Sequence, residues 1–301
     1  MGSRVRWGQC FLIDADAARR IVEWARVDGQ HVVEVGPGRG ALTIFLQEHC
    51  ASLTLIEIDP ELVAELQSRY QREERVKVIQ ADAVRVDWKS VAPAGFTLVS
   101  NLPYESGTAI VASLLVERHV VREIVVMLQK EVVERLAAKP GSKTYGGLSV
   151  RVQMIADVEK GMVLAPRSFR PRPAVESQMV RIRPLATPRF ELGDETELAP
   201  VVHASFGQRR KMLRNSLGRW VDARFGDGSF LRVSELAGIA GDVRPEDLSV
   251  EQFAALVRAV VAVRDDAGVE STRAVASAER IDAATTLADA EEPGDDDAGA
   301  S

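Results

Sequence analysis

The chain reads as an α/β protein, a mostly parallel sheet covered by helices, with a small α-helical domain after it and an acidic C-terminal stretch. Three observations lead there. β-rich runs alternate with helical runs from residue 31 to residue 138, the first β-rich run ends in a glycine turn, and from Thr196 onward the pattern turns helical. Strands alternating with helices are joined by crossovers, and right-handed crossovers make neighbouring strands parallel.

Each element has a local reason. Gly8-Gln9-Cys10-Phe11-Leu12-Ile13-Asp14 precedes an apolar-periodic run over 17–24, a helix capped by Asp14 or Asp16. The segment before that helix is expected to pack over another part of the molecule. A strand over 31–35 runs into Gly36-Pro37-Gly38-Arg39-Gly40 and a helix over 41–48. Strand, glycine turn, helix is the unit that cradles nucleotides. The spacing here is G-x-G-x-G, not the G-x-G-x-x-G of a dinucleotide site.

A second strand, 53–58, ends in Glu57-Ile58-Asp59-Pro60 before a helix over 61–70. An acid at this strand end can accept both ribose hydroxyls. Glu57 is the candidate, because Asp59 with Pro60 makes a good helix start. The third strand, 76–80, leads to Asp82, which is either a turn residue or the acceptor for an exocyclic amine. The fourth, 96–99, delivers Ser100-Asn101-Leu102-Pro103-Tyr104 at the end where open α/β sheets bind ligands. A helix over 106–117, a fifth strand over 123–128 and a helix over 130–138 follow.

Strands over 158–164 and 177–182 have no helix between them, so they are expected to pair antiparallel and close one sheet edge. A link rich in Pro and Arg, residues 166–173, joins them. Helices are expected over 198–205, 209–225, 234–237 and 249–263, the last opened by a capping box of Ser249 and Gln252. The expected domains are therefore 1–189 and 190–264, followed by an acidic stretch, 265–301, whose composition predicts disorder.

Composition narrows the function classes. In 301 residues, 46% hydrophobic content supports a sizeable core. Two cysteines are too few for a disulfide scaffold and suit the cytoplasm. No apolar run reaches the roughly 18 to 20 residues of a membrane span, so no membrane partner is expected. The net charge of −6 hides an asymmetry: residues 265–301 carry eleven acids against two arginines, which leaves residues 1–264 at +3. Basic residues cluster at Arg167, Arg170, Arg172, Arg181 and Arg183, and again at Arg209, Arg210, Lys211, Arg214 and Arg219. Such clusters suit a phosphate backbone. The four histidines are scattered, and no ligand spacing suggests a metal.

Several motifs, in one order, resemble the ribosomal RNA adenine N6,N6-dimethyltransferases, and among them the bacterial small-subunit type. They are Gly8-Gln9-Cys10-Phe11-Leu12, Glu34-Val35-Gly36-Pro37-Gly38-Arg39-Gly40, Glu57-Ile58-Asp59, Asn101-Leu102-Pro103-Tyr104, Gln129-Lys130-Glu131-Val132, Tyr145-Gly146-Gly147-Leu148-Ser149-Val150, Phe169-Arg170-Pro171, Arg209-Arg210-Lys211 with Leu213-Arg214-Asn215, and Arg244-Pro245-Glu246-Asp247-Leu248-Ser249. The resemblance covers residues 4–258. It implies a class I, Rossmann-like methyltransferase fold, S-adenosylmethionine as methyl donor, and two adjacent adenines of a small-subunit (16S) rRNA hairpin as substrate. The donor is expected against Cys10, Leu12, Gly36, Gly38, Glu57, Asp82 and Asn101. RNA contacts are expected from Arg170, Arg172, Arg209, Arg210, Lys211 and Arg214, and the enzyme is expected to be a cytoplasmic monomer. Cys10 departs from the family, which commonly carries Asn or His there. A thiol replaces a side-chain hydrogen bond poorly, so only a backbone contact is expected.

The chemistry explains the residue types. An adenine N6 lone pair is delocalised into the ring, so the amine must be held with that lone pair aimed at the methyl group. The Asn101 side-chain oxygen and the Leu102 carbonyl can each accept one N6 hydrogen, and Pro103 biases Leu102 toward an extended conformation. Tyr104 is expected to stack on the extruded base, with Phe169 on its other face. A large-subunit rRNA dimethyltransferase of the macrolide-resistance type ranks second, since that type tends to carry Ile and Phe in the catalytic motif. A non-catalytic ribosome-assembly factor is the third reading.

Overall fold

The structure, a computed structural model of the chain, describes residues 10–208 and 211–268. A two-residue strand β1 (Phe11–Leu12) and helix α1 (Ala15–Ala25) come first, then β2 (His31–Val35), α2 (Thr43–His49), β3 (Ser52–Glu57), α3 (Pro60–Tyr70) and β4 (Val76–Gln80). A short α4 (Trp88–Val91) precedes β5 (Phe96–Asn101), α5 (Gly107–Val116), β6 (Val121–Gln129), α6 (Lys130–Leu136) and α7 (Gly147–Ile155). The sheet is completed by β7 (Ala156–Leu164) and β9 (Ser177–Pro184), with the short β8 (Phe169–Arg170) between them. Helices α8 (Leu198–Phe206), α9 (Leu217–Phe225), α10 (Ser229–Ala237) and α11 (Val250–Asp266) form the C-terminal body.

The main sheet has the order β4-β3-β2-β5-β6-β9-β7. Its first five strands are parallel, and β9 pairs antiparallel with both β6 and β7, closing the edge as expected. The order reverses between β2 and β5, which is where open α/β sheets hold ligands. Strand alternation sends side chains to opposite faces. On β6, Ile124, Val126 and Leu128 pack with α5 and α6, while Val125 and Met127 pack with α1, α2 and α3 on the other face.

The start signals hold at atomic detail. Asp14 caps α1 by accepting the Ala17 N–H at 3.0 Å, and Asp59 caps α3 with Pro60 in its first turn. Ser249 and Gln252 form the reciprocal box that opens α11.

Several elements depart from expectation: α4, β1 and β8 have no counterpart among the expected elements, and α10 begins at Ser229 rather than at 234. The helix expected over 209–225 starts only at Leu217. Met212 is extended (φ −65°, ψ 153°), and the Leu213 and Arg214 N–H groups donate to the Val243 and Gly241 carbonyls at 2.8 Å each, so a neighbouring loop takes donors that a helix would use. Helix α7 was not foreseen. It joins the two bodies, since its Leu148 and Val152 belong to the sheet core while its Val150 and Met154 belong to the helical core. Tyr145, fully buried at its start, donates to the Leu248 carbonyl at 2.9 Å. The expected disorder of 265–301 falls beyond the described residues from 269 on.

Candidate active site

A cleft with about 990 Å³ of empty space, open solvent at its mouth included, lies over the carboxyl ends of β2, β3 and β5. Its existence follows from how β2 and β5 part. They pair only at Val32 with Thr97 and Val33 with Leu98. Beyond that point the Ser100 hydroxyl accepts the Val35 N–H at 3.0 Å and donates to the Val35 carbonyl, so the parted backbones stay satisfied.

Gly36, Gly38 and Gly40 form the loop at the end of β2, with φ of 63°, 55° and 85°. L side chains rarely adopt these angles, which explains the residue type. A Cβ on Gly38 would lie 2.8 Å from the Phe11 ring, so the β1 segment rests directly on the glycine loop. The packing expected of the segment before α1 is therefore real: it straps the cleft. The strap is held on its other side by β8, with Phe11 opposite Arg170 and Leu12 opposite Phe169.

Glu57 ends β3 and is 2% exposed. One carboxylate oxygen accepts the Ile58 and Asp59 N–H groups at 2.9 and 3.0 Å, and the other, among the described residues, accepts only the Gly38 N–H, at 3.3 Å. The second oxygen, with one donor among the described residues, keeps acceptor capacity. Asp82 lines the same cleft, with one oxygen accepting the Val84 N–H at 3.0 Å and the other 3.8 Å from Arg85. The Val84 hydrogen bond gives Asp82 its turn role, and its place in the lining leaves the carboxylate facing the cleft.

Asn101 sits at the end of β5, and its side-chain nitrogen donates to the Cys10 carbonyl at 3.0 Å. A carbonyl only accepts, so the amide must turn its nitrogen toward the strap. Among the described residues no donor reaches the Asn101 side-chain oxygen or the Leu102 carbonyl. Cys10 lines the cleft and acts on Asn101 through its backbone, while burial pushes its thiol pKa up. Leu102, Pro103 and the half-buried Tyr104 complete this wall. The Tyr104 phenol lies 2.6 Å from Ser177 Oγ; burial raises its pKa, opposed by that hydrogen bond.

Two expectations change. Phe169 does not line the cleft; it is 1% exposed in the core beside α1, because β1–β8 pairing draws it under the strap with Leu12. Arg181 and Arg183 are not free for phosphate, since both donate to Glu123 at 2.8 Å and the Arg181 guanidinium lies 4.4 Å from the Trp24 ring centre. Arg170, Arg172, Lys211 and Arg214 are exposed, whereas Arg209 and Arg210 lie outside the described residues.

Sequence reasoning passed over three polar residues near the cleft: Ser100, Ser177 and Glu34. Glu34 is 2% exposed, accepts the Thr43 hydroxyl at 2.7 Å and lines the cleft floor. Burial is the largest cause that pushes its pKa up to about 8, the Thr43 hydrogen bond opposes it, and the Glu57 charge adds to it. The signal was available, because Glu34 is an acid among Val32, Val33 and Val35, two residues before Gly36.

The residues suit a nucleoside that carries a cationic chain. Gly36 and Gly38 allow close approach, Glu57 offers an acceptor, and Ile56, Ile58, Ala83 and Leu102 supply apolar walls. Such a cleft fits S-adenosylmethionine.

A family model described as ribosomal RNA adenine dimethylase matches residues 2–261. Ribosomal RNA small subunit methyltransferase A of Leptothrix cholodnii is 40% identical over 261 residues, covering 85% of this chain and 91% of that protein. The protein of the same name from Methylibium petroleiphilum is 42% identical over 234 residues, covering 76% and 88%. Among solved structures, the 23S rRNA methyltransferase ErmE is 25% identical with a TM-score of 0.63, covering 83% of this chain and 99% of that one. A dimethyladenosine transferase from Plasmodium falciparum, 22% identical with a TM-score of 0.68 over 86% and 99%, shares the fold.

Proposed function

The chain belongs to the ribosomal RNA adenine dimethylase family, and from that premise we propose that it transfers methyl groups from S-adenosylmethionine to N6 of two adjacent adenines in a small-subunit rRNA hairpin. The observation that carries the mechanism is the Asn101 side-chain nitrogen bonded to the Cys10 carbonyl. That bond fixes the amide so that its oxygen, with the Leu102 carbonyl, receives the two N6 hydrogens. Donating both hydrogens in hydrogen bonds to these acceptors, while keeping both N–H bonds, turns the amine toward a tetrahedral nitrogen with its lone pair free.

The bound donor supplies an electrophilic methyl group on a sulfonium. The protein's own work is positioning and exclusion of water. Glu57 holds the ribose, the glycine loop and the strap enclose the cationic chain, and Tyr104 stacks under the flipped base, a contact typically worth about 1 to 3 kcal/mol. Phe169 backs Leu12 beneath the strap and reaches a base only if β1 and β8 part. No strong base is needed, because the methylated nitrogen is cationic and releases its proton to water. Arg170, Arg172, Lys211 and Arg214 contact the phosphate backbone, and Arg209 and Arg210 belong to the same proposal.

The reading extends to a monomer working in the cytoplasm, where its thiols, both free, stay reduced. Among the described residues no helix is long and apolar enough to cross a membrane. The large-subunit reading has the ErmE likeness in its favour, but at 25% identity against 40% for the small-subunit relatives. The test is to incubate purified protein and labelled donor with small subunits that lack the modification, and to map the label by mass spectrometry. Label confined to large-subunit RNA, or absent, refutes the proposal.

A further inference from the structure

Tyr104 is held from behind by a buried serine. Ser177, the first residue of β9, is 0% exposed although the three residues before it are exposed. Its hydroxyl lies 2.6 Å from the Tyr104 phenol, the sole hydrogen-bond partner of Ser177 Oγ among the described residues. Burying a hydroxyl is unfavourable unless it is paired. Alanine would fill the same strand position, so the ring accounts for the hydroxyl.

The anchor is itself fixed. Ser177 lies opposite Gln129 of β6 and Leu164 of β7. Glu176, just before it, accepts the Lys130 backbone N–H at 3.0 Å and pairs with Lys130 Nζ at 2.7 Å. The phenol, in the turn after β5, is thus tied to the first residue of β9, the strand beyond β6 in the sheet.

We infer that Ser177 is a positioning residue for methyl transfer: by holding the phenol it sets the plane of the Tyr104 ring, and through that plane the approach of the target amine to the methyl group. The inference rests on the reading of Tyr104 as the stacking platform. Ser177 touches neither donor nor RNA in this account. Transfer requires near-linear alignment, and small displacements of a bound base are costly in rate.

The test compares wild type with Ser177→Ala, Tyr104→Phe, the double variant and Tyr104→Ala. Donor affinity is measured by calorimetry, and the single-turnover rate with saturating donor and unmodified small subunits. Ser177→Ala and Tyr104→Phe are each expected to lower the single-turnover rate about tenfold, the effect of losing one hydrogen bond, while donor affinity stays within about twofold. The double variant is expected to be no slower than either single one, because all three lack the same bond. A full-rate Tyr104→Phe, or losses that multiply in the double variant, overturns the inference. In that event a slow Tyr104→Ala leaves the stacking reading standing, whereas Tyr104→Ala at wild-type rate removes the reading itself. Should Ser177→Ala fail to fold by thermal melting, Tyr104→Phe deletes the bond from the cleft side and decides the matter alone.

Discussion

Replacing Glu34 by glutamine tests the electrostatics of the cleft floor. The carboxyl is almost fully buried, and its pKa lies at about 8 against an ordinary 4.5. Below about pH 4.5 the group is protonated in folded and unfolded chains alike and has no pH-dependent effect. Between that value and about 8, the folded protein without donor keeps a proton that the unfolded chain has released. Stability therefore falls as pH rises, by about 1.4 kcal/mol per pH unit for this group, and levels off above about 8. Glutamine does not titrate, and its side-chain oxygen can still accept the Thr43 hydroxyl. The stability of Glu34→Gln relative to wild type should consequently grow by roughly 3 kcal/mol between pH 5.5 and pH 7.5. For a protein of this size that is a growth of roughly 5 to 11 °C in the difference of melting temperatures. Differential scanning calorimetry of both proteins without donor, at four pH values from 5.5 to 8.5, reads it directly. A melting difference that stays constant across this range, or shrinks as pH rises, refutes the assignment. A cationic donor beside Glu34 favours the ionised form, so wild-type donor affinity should rise toward pH 8 while that of Glu34→Gln stays flat.

Three further outcomes follow from the same geometry. Asn101→Ala removes the amine acceptor, and should slow single-turnover transfer by roughly 10² to 10³, the cost typical of losing a transition-state hydrogen bond, while donor binding by calorimetry changes little; an unchanged rate would exclude the role given to its oxygen. Gly38→Ala places a Cβ 2.8 Å from the Phe11 ring at φ 55°, so the strap must shift; donor affinity should drop about tenfold as the strap moves, while the roughly 1 to 2 kcal/mol of backbone strain lowers thermal stability, and a wild-type affinity would show that the strap does not enclose the donor. Charge reversal at both Arg170 and Arg172 should weaken RNA binding and flatten its logarithmic salt dependence by about one per lost phosphate contact; filter-binding titrations with an unchanged slope would take these side chains out of the interface.

Much of the fold was legible because its signals are local. The parallel strands show as apolar runs, the glycine loop needs left-handed backbone that only its residue type takes easily, and the caps at Asp14, Asp59 and Ser249 involve residues two or three positions apart. The same holds for Glu57 and Asn101, which each stand at the end of a readable strand. What tertiary structure alone decided involves partners distant in the chain. The β1–β8 ribbon joins residues more than 150 positions apart and carries Phe169 away from the cleft into the core. Carbonyls at Gly241 and Val243 unwind the start of the helix expected over 209–225, and Glu123 takes up two arginines that composition had counted as free. Periodicity reports which face of an element is buried, but it carries no record of which distant donor meets which acceptor. The sequence by itself therefore determined that an adenine-directed methyltransferase sheet is present and where its strands end. Only the packed chain decided that the Cys10 carbonyl orients the Asn101 amide and that Ser177 stands behind Tyr104, because those contacts exist only once strands far apart in sequence lie side by side.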